Sequence, residues 1–486
     1  MIGSSSEAYA IIGGVRVVVP GALPHISPFD GAEDYRLAET SPSEVSRAVA
    51  LAADCHRRGD WRLLPLARRR EVFERWAGLI ERDADMIAAL DHADMGKPLA
   101  KARSDAAAAA QIVGAQPWYL ELMEGSALTA NPDTLSWLWH APVGVVAAIT
   151  PWNYASINCV WKIAPALAAG NCVVLKPSEI ASRSALHIVA LGLDAGLPEN
   201  ALHCVPGSGA GSGTALVGDA LVDLVTFTGS TAAARHIAAA SARFVRPAIL
   251  ECGGKSPQIV MPDMGDAIAA IVPHLADAAF ANAGQLCVAK TRLLVHRAIA
   301  EDVIAALAEA MSQHWPGGPD QPDAPFGPLA TRRQKELASA TLLQIADRGG
   351  RVIRGPAADE GCGGHYQGAA IGLDSDPATP GWQEELFAPV LHVGCFDNAE
   401  EAIRLANSTD YALSASVWTR DTRAALAFAR EVSCGEIMIC GRIPADHDGA
   451  PPHYAYSPTK ASGHGVEGGI AGLKAYCQAR SITMLP

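Results

Sequence analysis

Charge is scarce in this 486-residue chain, and positive charge is the scarcer sign. Charged residues make up 18%, with 38 Lys and Arg against 51 Asp and Glu, for a formal net charge of −13. Phosphate repels such a surface, so no nucleic-acid partner is expected. No unbroken run of about 18 apolar residues stands out, and no membrane footing is expected. The start, Met1-Ile2-Gly3-Ser4-Ser5, lacks the basic and apolar stretches of a signal peptide. The eleven cysteines form no CxxC pair, so neither a metal site nor a disulfide framework is visible, and a reducing cytoplasm is the expected home. There is also no GxGxxG fingerprint behind a first strand; Gly207-Ser208-Gly209-Ala210-Gly211 comes nearest.

What is present is apolar material, 49% of the chain. At a prior of roughly 150 residues per domain, two or three domains with large cores are expected. The spacing of Val72, Phe73, Trp76, Leu79 and Ile80 predicts one long amphipathic helix over 62–93, stopped by Gly96 and Pro98. An alanine-rich helix follows over 99–123. From Val143 the texture changes to short apolar runs, at 143–149, 171–176, 201–205 and 221–227, with helical stretches at 182–195 and 211–219 between them. Buried strands alternating with helices predict βαβ units and a parallel sheet. A second α/β stretch covers about 252–440. A further helix is expected over 264–282 and a last strand within 475–484.

Three places carry candidate chemistry. Gly284-Gln285-Leu286-Cys287 brings a thiol out of a glycine stop. A free cysteine is mostly protonated at neutral pH and needs local help to attack; taken alone, a packed core thiol is the commoner reading. In Glu251-Cys252-Gly253-Gly254-Lys255 a carboxylate ends an apolar run, where desolvation makes it a better base near neutrality. In Pro151-Trp152-Asn153-Tyr154 an amide just after a strand is placed to donate to a developing oxyanion. Two further segments suit a dinucleotide. Lys176-Pro177-Ser178-Glu179 ends a strand, and Phe227-Thr228-Gly229-Ser230 leads from a strand into a helix N-terminus, where free amides suit a phosphate.

Together and in order, these segments resemble the aldehyde dehydrogenase superfamily from about Trp61 to Ile482. Glu384-Glu385-x-Phe387, Asp94-x-Gly96-Lys97-Pro98 and Lys460-x-Ser462-Gly463-x-Gly465-x-Glu467 are similar too. The resemblance implies an α/β fold: a Rossmann-like cofactor domain (1–120 and 143–251), an α/β catalytic domain (252–455), and a small oligomerisation element (121–142 and 470–486) making a homodimer or homotetramer. It implies Cys287 as nucleophile, Glu251 as base, Asn153 in the oxyanion site, and Lys162 and Glu467 as a proton relay. Cofactor contacts are implied for Ile149, Pro151, Trp152, Lys176, Ser178, Glu179, Gly209, Phe227, Thr228, Gly229, Ser230, Glu385 and Phe387. Tyr154, Trp161 and Leu286 are implied in the substrate pocket. A Glu at 179 favours NAD over NADP, because a 2′-phosphate would meet its charge. Within the superfamily the chain looks nearest to bacterial NAD(P)-linked enzymes for ω-amino aldehydes, including the γ-glutamyl-γ-aminobutyraldehyde type. Asp446 and Asp448 are candidates to bind a cationic amine.

The chain departs from the family's pattern at several points. Ala234, Ala388 and Ala412 stand where glycine is usual, and Cys440 where Asn is expected. Ala455-Tyr456-Ser457-Pro458 replaces a Pro-Phe-Gly-Gly type of turn, and the segment 441–458 looks long. Added Cβ atoms can crowd a turn or a cofactor, so a catalytically impaired relative with a binding or structural role is the alternative. An acylating enzyme that uses coenzyme A fits less well, since Glu251 as a water-activating base would have no task.

Overall fold

The computed structural model describes residues 8–128, 133–357, 363–373, 376–441 and 455–485. Two hairpins open the chain, β1 (Tyr9–Ile12) with β2 (Val15–Val18) and β3 (Gly21–Ile26) with β4 (Glu33–Ala38). Four helices follow, α1 (Pro42–Arg58), α2 (Leu66–Arg82), α3 (Ala84–Met95) and α4 (Leu99–Glu121), then the short strands β5 (Ala127–Leu128) and β6 (Leu135–Pro142). The predicted βαβ run comes next: β7 (Val145–Ile149), α5 (Ala155–Ala168), β8 (Cys172–Lys176), α6 (Arg183–Asp194), β9 (Leu202–Cys204), α7 (Thr214–Gly218), β10 (Leu224–Thr228), α8 (Thr231–Ala242) and β11 (Ala248–Glu251). A one-turn π-helix, Gly209–Gly213, precedes α7.

The second α/β part holds β12 (Pro257–Val260), α9 (Ile268–Phe280), β13 (Arg292–His296), β14 (Arg351–Arg354), β15 (Ala370–Leu373), β16 (Val390–Phe396), β17 (Tyr411–Ala412), β18 (Ser414–Trp418) and β19 (Glu436–Cys440). The tail adds β20 (Thr459–Lys460), β21 (Gly463–His464) and β22 (Cys477–Met484). The first sheet runs β2-β1-β9-β8-β7-β10-β11-β21 and the second β14-β15-β16-β13-β12-β18-β19. A three-stranded sheet joins β22, β6 and β5.

The sequence explains the layers. Every residue of β7 and β8 is buried, as expected of parallel strands covered on both faces. Val72, Phe73, Trp76 and Ile80 form the buried stripe of α2. Fully burying such a side chain stabilises by about 1.5–3 kcal/mol. The indole N–H groups of Trp61 and Trp76 are buried with it, and each donates to a backbone carbonyl, of Leu167 (2.7 Å) and Ile188 (3.0 Å).

Two expectations need correction. The helix over 62–93 is two helices. Asp83 separates them: its amide still closes the last turn of α2 on Leu79, while its carboxylate is drawn to Arg82 and to His187 (2.8 Å). A short polar side chain at a helix junction serves both ends better than it serves a helix interior. The helix over 264–282 is likewise divided, into a 3-10 segment Pro262–Ala267, then α9, then a turn over Ala281–Gly284. Pro273 lies inside α9 without ending it. Pro262–Gly284 holds no unbroken apolar run, although its length and mean hydropathy alone would suit a membrane span. It is a core segment instead, with Ile271, Leu275, Ala279 and Phe280 buried in the second hydrophobic core.

Candidate active site

Strand register brings several predicted residues into one row. Lys176 pairs with Ile149, Ile149 with Phe227, and Phe227 with Leu250, across the carboxyl ends of β8, β7, β10 and β11. The chain steps outward from β7 to β8 and β9, then returns to lay β10 and β11 on the other side. Strand order therefore reverses at β7, and ligands of open α/β sheets bind outside the strand ends at such a point.

The surrounding groups suit a dinucleotide. Lys176 Nζ lies 3.0 Å from the half-exposed Glu179 carboxylate. Ser178 is buried and its hydroxyl accepts from the Ile180 amide (3.2 Å). Ser230 caps α8, its Oγ accepting from the Ala233 amide (3.2 Å), which leaves Gly229 and Ser230 at the helix mouth. Gly209 is exposed with open space where a side chain would stand. The loop that carries it is fixed by Glu39, whose carboxylate accepts from the amides of Ser208 (2.9 Å) and Ser212 (3.3 Å). Sequence reasoning missed Glu39, since an acidic residue before a helix carries no signal of so distant a partner. Thr228 is half-buried beside this mouth, and Pro151 and Trp152 continue from β7. The Trp152 ring meets the edge of Phe387 at 5.6 Å, with Phe387 held at a φ of 55°.

Cys287 follows an unusual bend. Asn282, Ala283 and Gly284 have φ of 50°, 58° and 69°, three successive left-handed residues. For Ala283 this costs about 1–2 kcal/mol. At Gly284 a Cβ would sit 2.3 Å from the Ala388 carbonyl, so glycine is required there. The bend is pinned from both sides. Asn282 Nδ2 donates to the carbonyls of Asn153 and Gln285, both at 3.2 Å, and the buried Gln285 Oε1 accepts from the Ala330 amide at 2.9 Å. Asn153, itself buried, donates one amide hydrogen to the Gln285 carbonyl (2.9 Å). The loop bearing Asn153 and the loop bearing Cys287 are thus tied directly together. Cys287 and Leu286 are half-buried at this bend. Burial, with the charges of Glu251 and Glu385 adding, pushes the thiol up to about 12.

From the other side comes the end of β11. A Cβ on Gly254 would lie 2.5 Å from the Cys287 carbonyl, so the turn after Glu251 abuts the thiol-bearing residue. Glu251 is buried, and its Oε1 has no hydrogen-bond partner among the described residues. Burial and the Glu467 carboxylate push it up to about 9, against the pull of Lys162. Glu385 Oε1 accepts from the Gly254 amide (3.0 Å); burial raises this carboxyl to about 7.

Behind Glu251 lies a buried polar chain. Lys162 Nζ pairs with Glu467 Oε1 and donates to Thr226 Oγ1 (3.2 Å). Trp161 Nε1 and the Tyr456 hydroxyl both donate to Glu467 Oε2, at 3.0 and 3.3 Å. Trp161 and Glu467 also line a small cleft with Tyr119 and Tyr476. Tyr154 is half-buried, with Lys97 Nζ 3.4 Å from its ring centre. Ala234, Ala388 and Ala412 are buried, and none has the positive φ that would favour glycine. Cys440 ends β19, half-buried. Asp446 and Asp448 lie outside the described residues.

A parallel sheet whose strand order reverses at β7, with a half-buried thiol beside its carboxyl ends, has the architecture of dinucleotide-binding α/β proteins. Comparison with known proteins narrows this class. The sequence matches the aldehyde dehydrogenase family over residues 19–482. It is 34% identical over 466 residues to the NADP/NAD-dependent aldehyde dehydrogenase PuuC of Escherichia coli (strain K12), covering 94% of this chain and 91% of that protein. It is 35% identical over 457 residues to phenylacetaldehyde dehydrogenase of Pseudomonas fluorescens, covering 91% and 88% of the two chains. Among solved structures, indole-3-acetaldehyde dehydrogenase of P. syringae, in complex with NAD+ and IAA, superposes with a TM-score of 0.94 at 33% identity, covering 99% of this chain and 97% of that one. γ-Glutamyl-γ-aminobutyraldehyde dehydrogenase from Burkholderia cenocepacia gives 0.93 at 33% identity, again over 99% and 97%. The chain belongs to the aldehyde dehydrogenase family, and its activity is the oxidation of an aldehyde.

Proposed function

We propose that Cys287 and Glu251 carry out the oxidation of an aldehyde to its acid, as nucleophile and base. The observation that carries this reading is Glu251: a buried carboxylate whose Oε1 has no hydrogen-bond partner among the described residues, just before the turn that abuts Cys287. The Cys287 thiol gives its proton to solvent, and the thiolate bonds to the aldehyde carbon as the carbonyl π pair moves onto oxygen. The second amide hydrogen of Asn153 and the Cys287 backbone N–H hold that oxygen. NAD+, when bound, supplies the hydride acceptor that turns this thiohemiacetal into a thioester. Glu251 then takes a proton from water, the oxygen attacks the thioester carbon, and the acid leaves as the C–S bond breaks. Lys162 and Glu467 form the path by which the proton moves away from Glu251.

The residues present fit NAD+. The α8 mouth at Gly229 and Ser230 would offer amides to the pyrophosphate, Lys176 and Glu179 would hold the adenosine ribose, and Glu385 and Phe387 the nicotinamide ribose. Glu179 is the charge a 2′-phosphate would meet. Glu179→Gln frees Lys176 of its partner and is expected to raise the ratio of kcat/KM for NADP over NAD about tenfold, some 1.4 kcal/mol. An unchanged ratio would remove Glu179 from cofactor choice.

The raised proton affinity of Glu251 fixes the pH dependence. A base must be unprotonated to act, and this one stays protonated until pH approaches about 9. NADH formation is therefore expected to climb with pH from neutrality, by about tenfold per unit at first. A rate already level at pH 7 would contradict this role.

For substrate we favour an ω-amino or γ-glutamylamino aldehyde, a reading supported by the similarity to PuuC and to the B. cenocepacia enzyme. A panel of amino, aromatic and simple alkyl aldehydes, followed by NADH and NADPH absorbance, tests it; higher kcat/KM for the aromatic members would overturn it. The first sheet (1–120 and 143–251) would hold the cofactor and 252–455 the thiol. The sheet of β5, β6 and β22 (121–142 and 470–486) would join subunits into a dimer or tetramer. Its exposed Leu135, Trp139 and Met484 support that. Ten free cysteines among the described residues suit a reducing cytoplasm.

A further inference from the structure

Two buried carboxylates lie on one proton path, and the fold treats them oppositely. Glu251 Oε1 meets no donor among the described residues, whereas Glu467 is saturated with them. Its Oε1 pairs with Lys162, and its Oε2 accepts from Trp161 (3.0 Å) and from the Tyr456 hydroxyl (3.3 Å). The tyrosine contact is not a chance meeting of two side chains. Each backbone N–H of Tyr456 and Glu467 donates to the other's carbonyl, at 2.9 and 3.1 Å, an isolated antiparallel bridge that sets the two side chains next to each other. Residue 456 is also where the family resemblance has phenylalanine, which carries no donor.

We propose that Tyr456 is a positioning residue for the base: its hydroxyl, with the Trp161 indole, clamps Glu467 Oε2 so that Oε1 stays on Lys162 and a fixed negative charge stands behind Glu251. This rests on the reading of Glu251 as the base. An anion held in place behind a buried carboxylate makes that carboxylate a stronger base and delays its ionisation on raising the pH. The groups facing Glu251 are Lys162 from α5, Glu467, Tyr456 and Tyr476 from the tail, Cys252 on its own strand end, and Cys287 across the cleft. Facing Glu467 are Lys162, Glu251, Tyr456 and Tyr476. Lys162 is the one cation in this set. Loss of the hydroxyl loosens Glu467 and weakens the field it places on Glu251.

The test is Tyr456→Phe in the full chain, assayed for steady-state NADH formation with a good aldehyde across pH. The rising limb is expected to move to lower pH by about half a unit. KM for the aldehyde, NAD+ affinity by calorimetry and Tm should stay near wild type, because the ring remains. Trp161→Phe removes the other donor to Oε2 and is expected to move the limb in the same direction. Superimposable limbs in both variants, or a move to higher pH, would overturn the proposal. A purely structural role would lower Tm and leave the limb in place, which also overturns it. Wild-type protein that makes no Cys287-dependent NADH overturns the catalytic reading and this one together; an active wild type with an unmoved Phe variant overturns this one alone.

Discussion

Cys287→Ala is expected to lower aldehyde-dependent NADH formation by about four orders of magnitude or more, the usual cost of removing a nucleophile. The bend that presents the residue does not depend on the sulfur. It is built from Asn282, Gly284 and the anchored Gln285 side chain, so the variant should fold and bind NAD+ normally. Calorimetry with NAD+ separates a dead but intact site from a collapsed one. A variant that kept the wild-type rate would end the assignment of covalent chemistry to this thiol.

Glu251→Gln is expected to split the reaction in time. Gln has the same shape and cannot accept the proton of water. Rapid mixing should show a burst of about one NADH per site, followed by turnover slowed by roughly 10²–10⁴-fold, the range for a lost general base. The part of the rising limb set by Glu251 should vanish from turnover, while the dependence set by ionisation of Cys287 remains in the burst. If burst and turnover fell by the same factor, Glu251 would be acting before the thioester forms and not after.

The sequence made the central sheet legible because its strands are buried on both faces. Runs such as Val145–Ile149 and Cys172–Lys176 have no polar face to blur them. The opening hairpins were not legible. β2 reads Val-Arg-Val-Val yet lies mostly in solvent, and β4 reads Glu-Asp-Tyr-Arg-Leu-Ala with only its last two residues buried, so in neither does the order of residues foretell the burial. The break at Asp83 was missed because its cause is tertiary: His187 reaches it from 104 positions away. The left-handed bend was legible at Gly284, where glycine announces it, and hidden at Ala283, whose conformation is imposed by neighbours. The site divides the same way. Cys287, Glu251 and Asn153 were candidates from local chemistry at strand ends and turns, but only the order of motifs shared with the family raised Cys287 above a packed thiol and Asn153 above an ordinary turn residue. Lys162 and Glu467 stand 305 positions apart, and only the family resemblance paired them. The Tyr456 hydroxyl has meaning only once the tail is folded against α5.

That same ion pair has a bearing on how the molecule is made. Lys162 is fully enclosed, yet its counter-charge on Glu467 is translated 305 positions later. Until then the lysine has no anion to enter the core with, and closing so long a loop is slow. A nascent chain still on the ribosome can therefore shape most of its first sheet without completing the machinery behind Glu251, and competence for turnover should come only once Glu467 has emerged and β21 has joined β11.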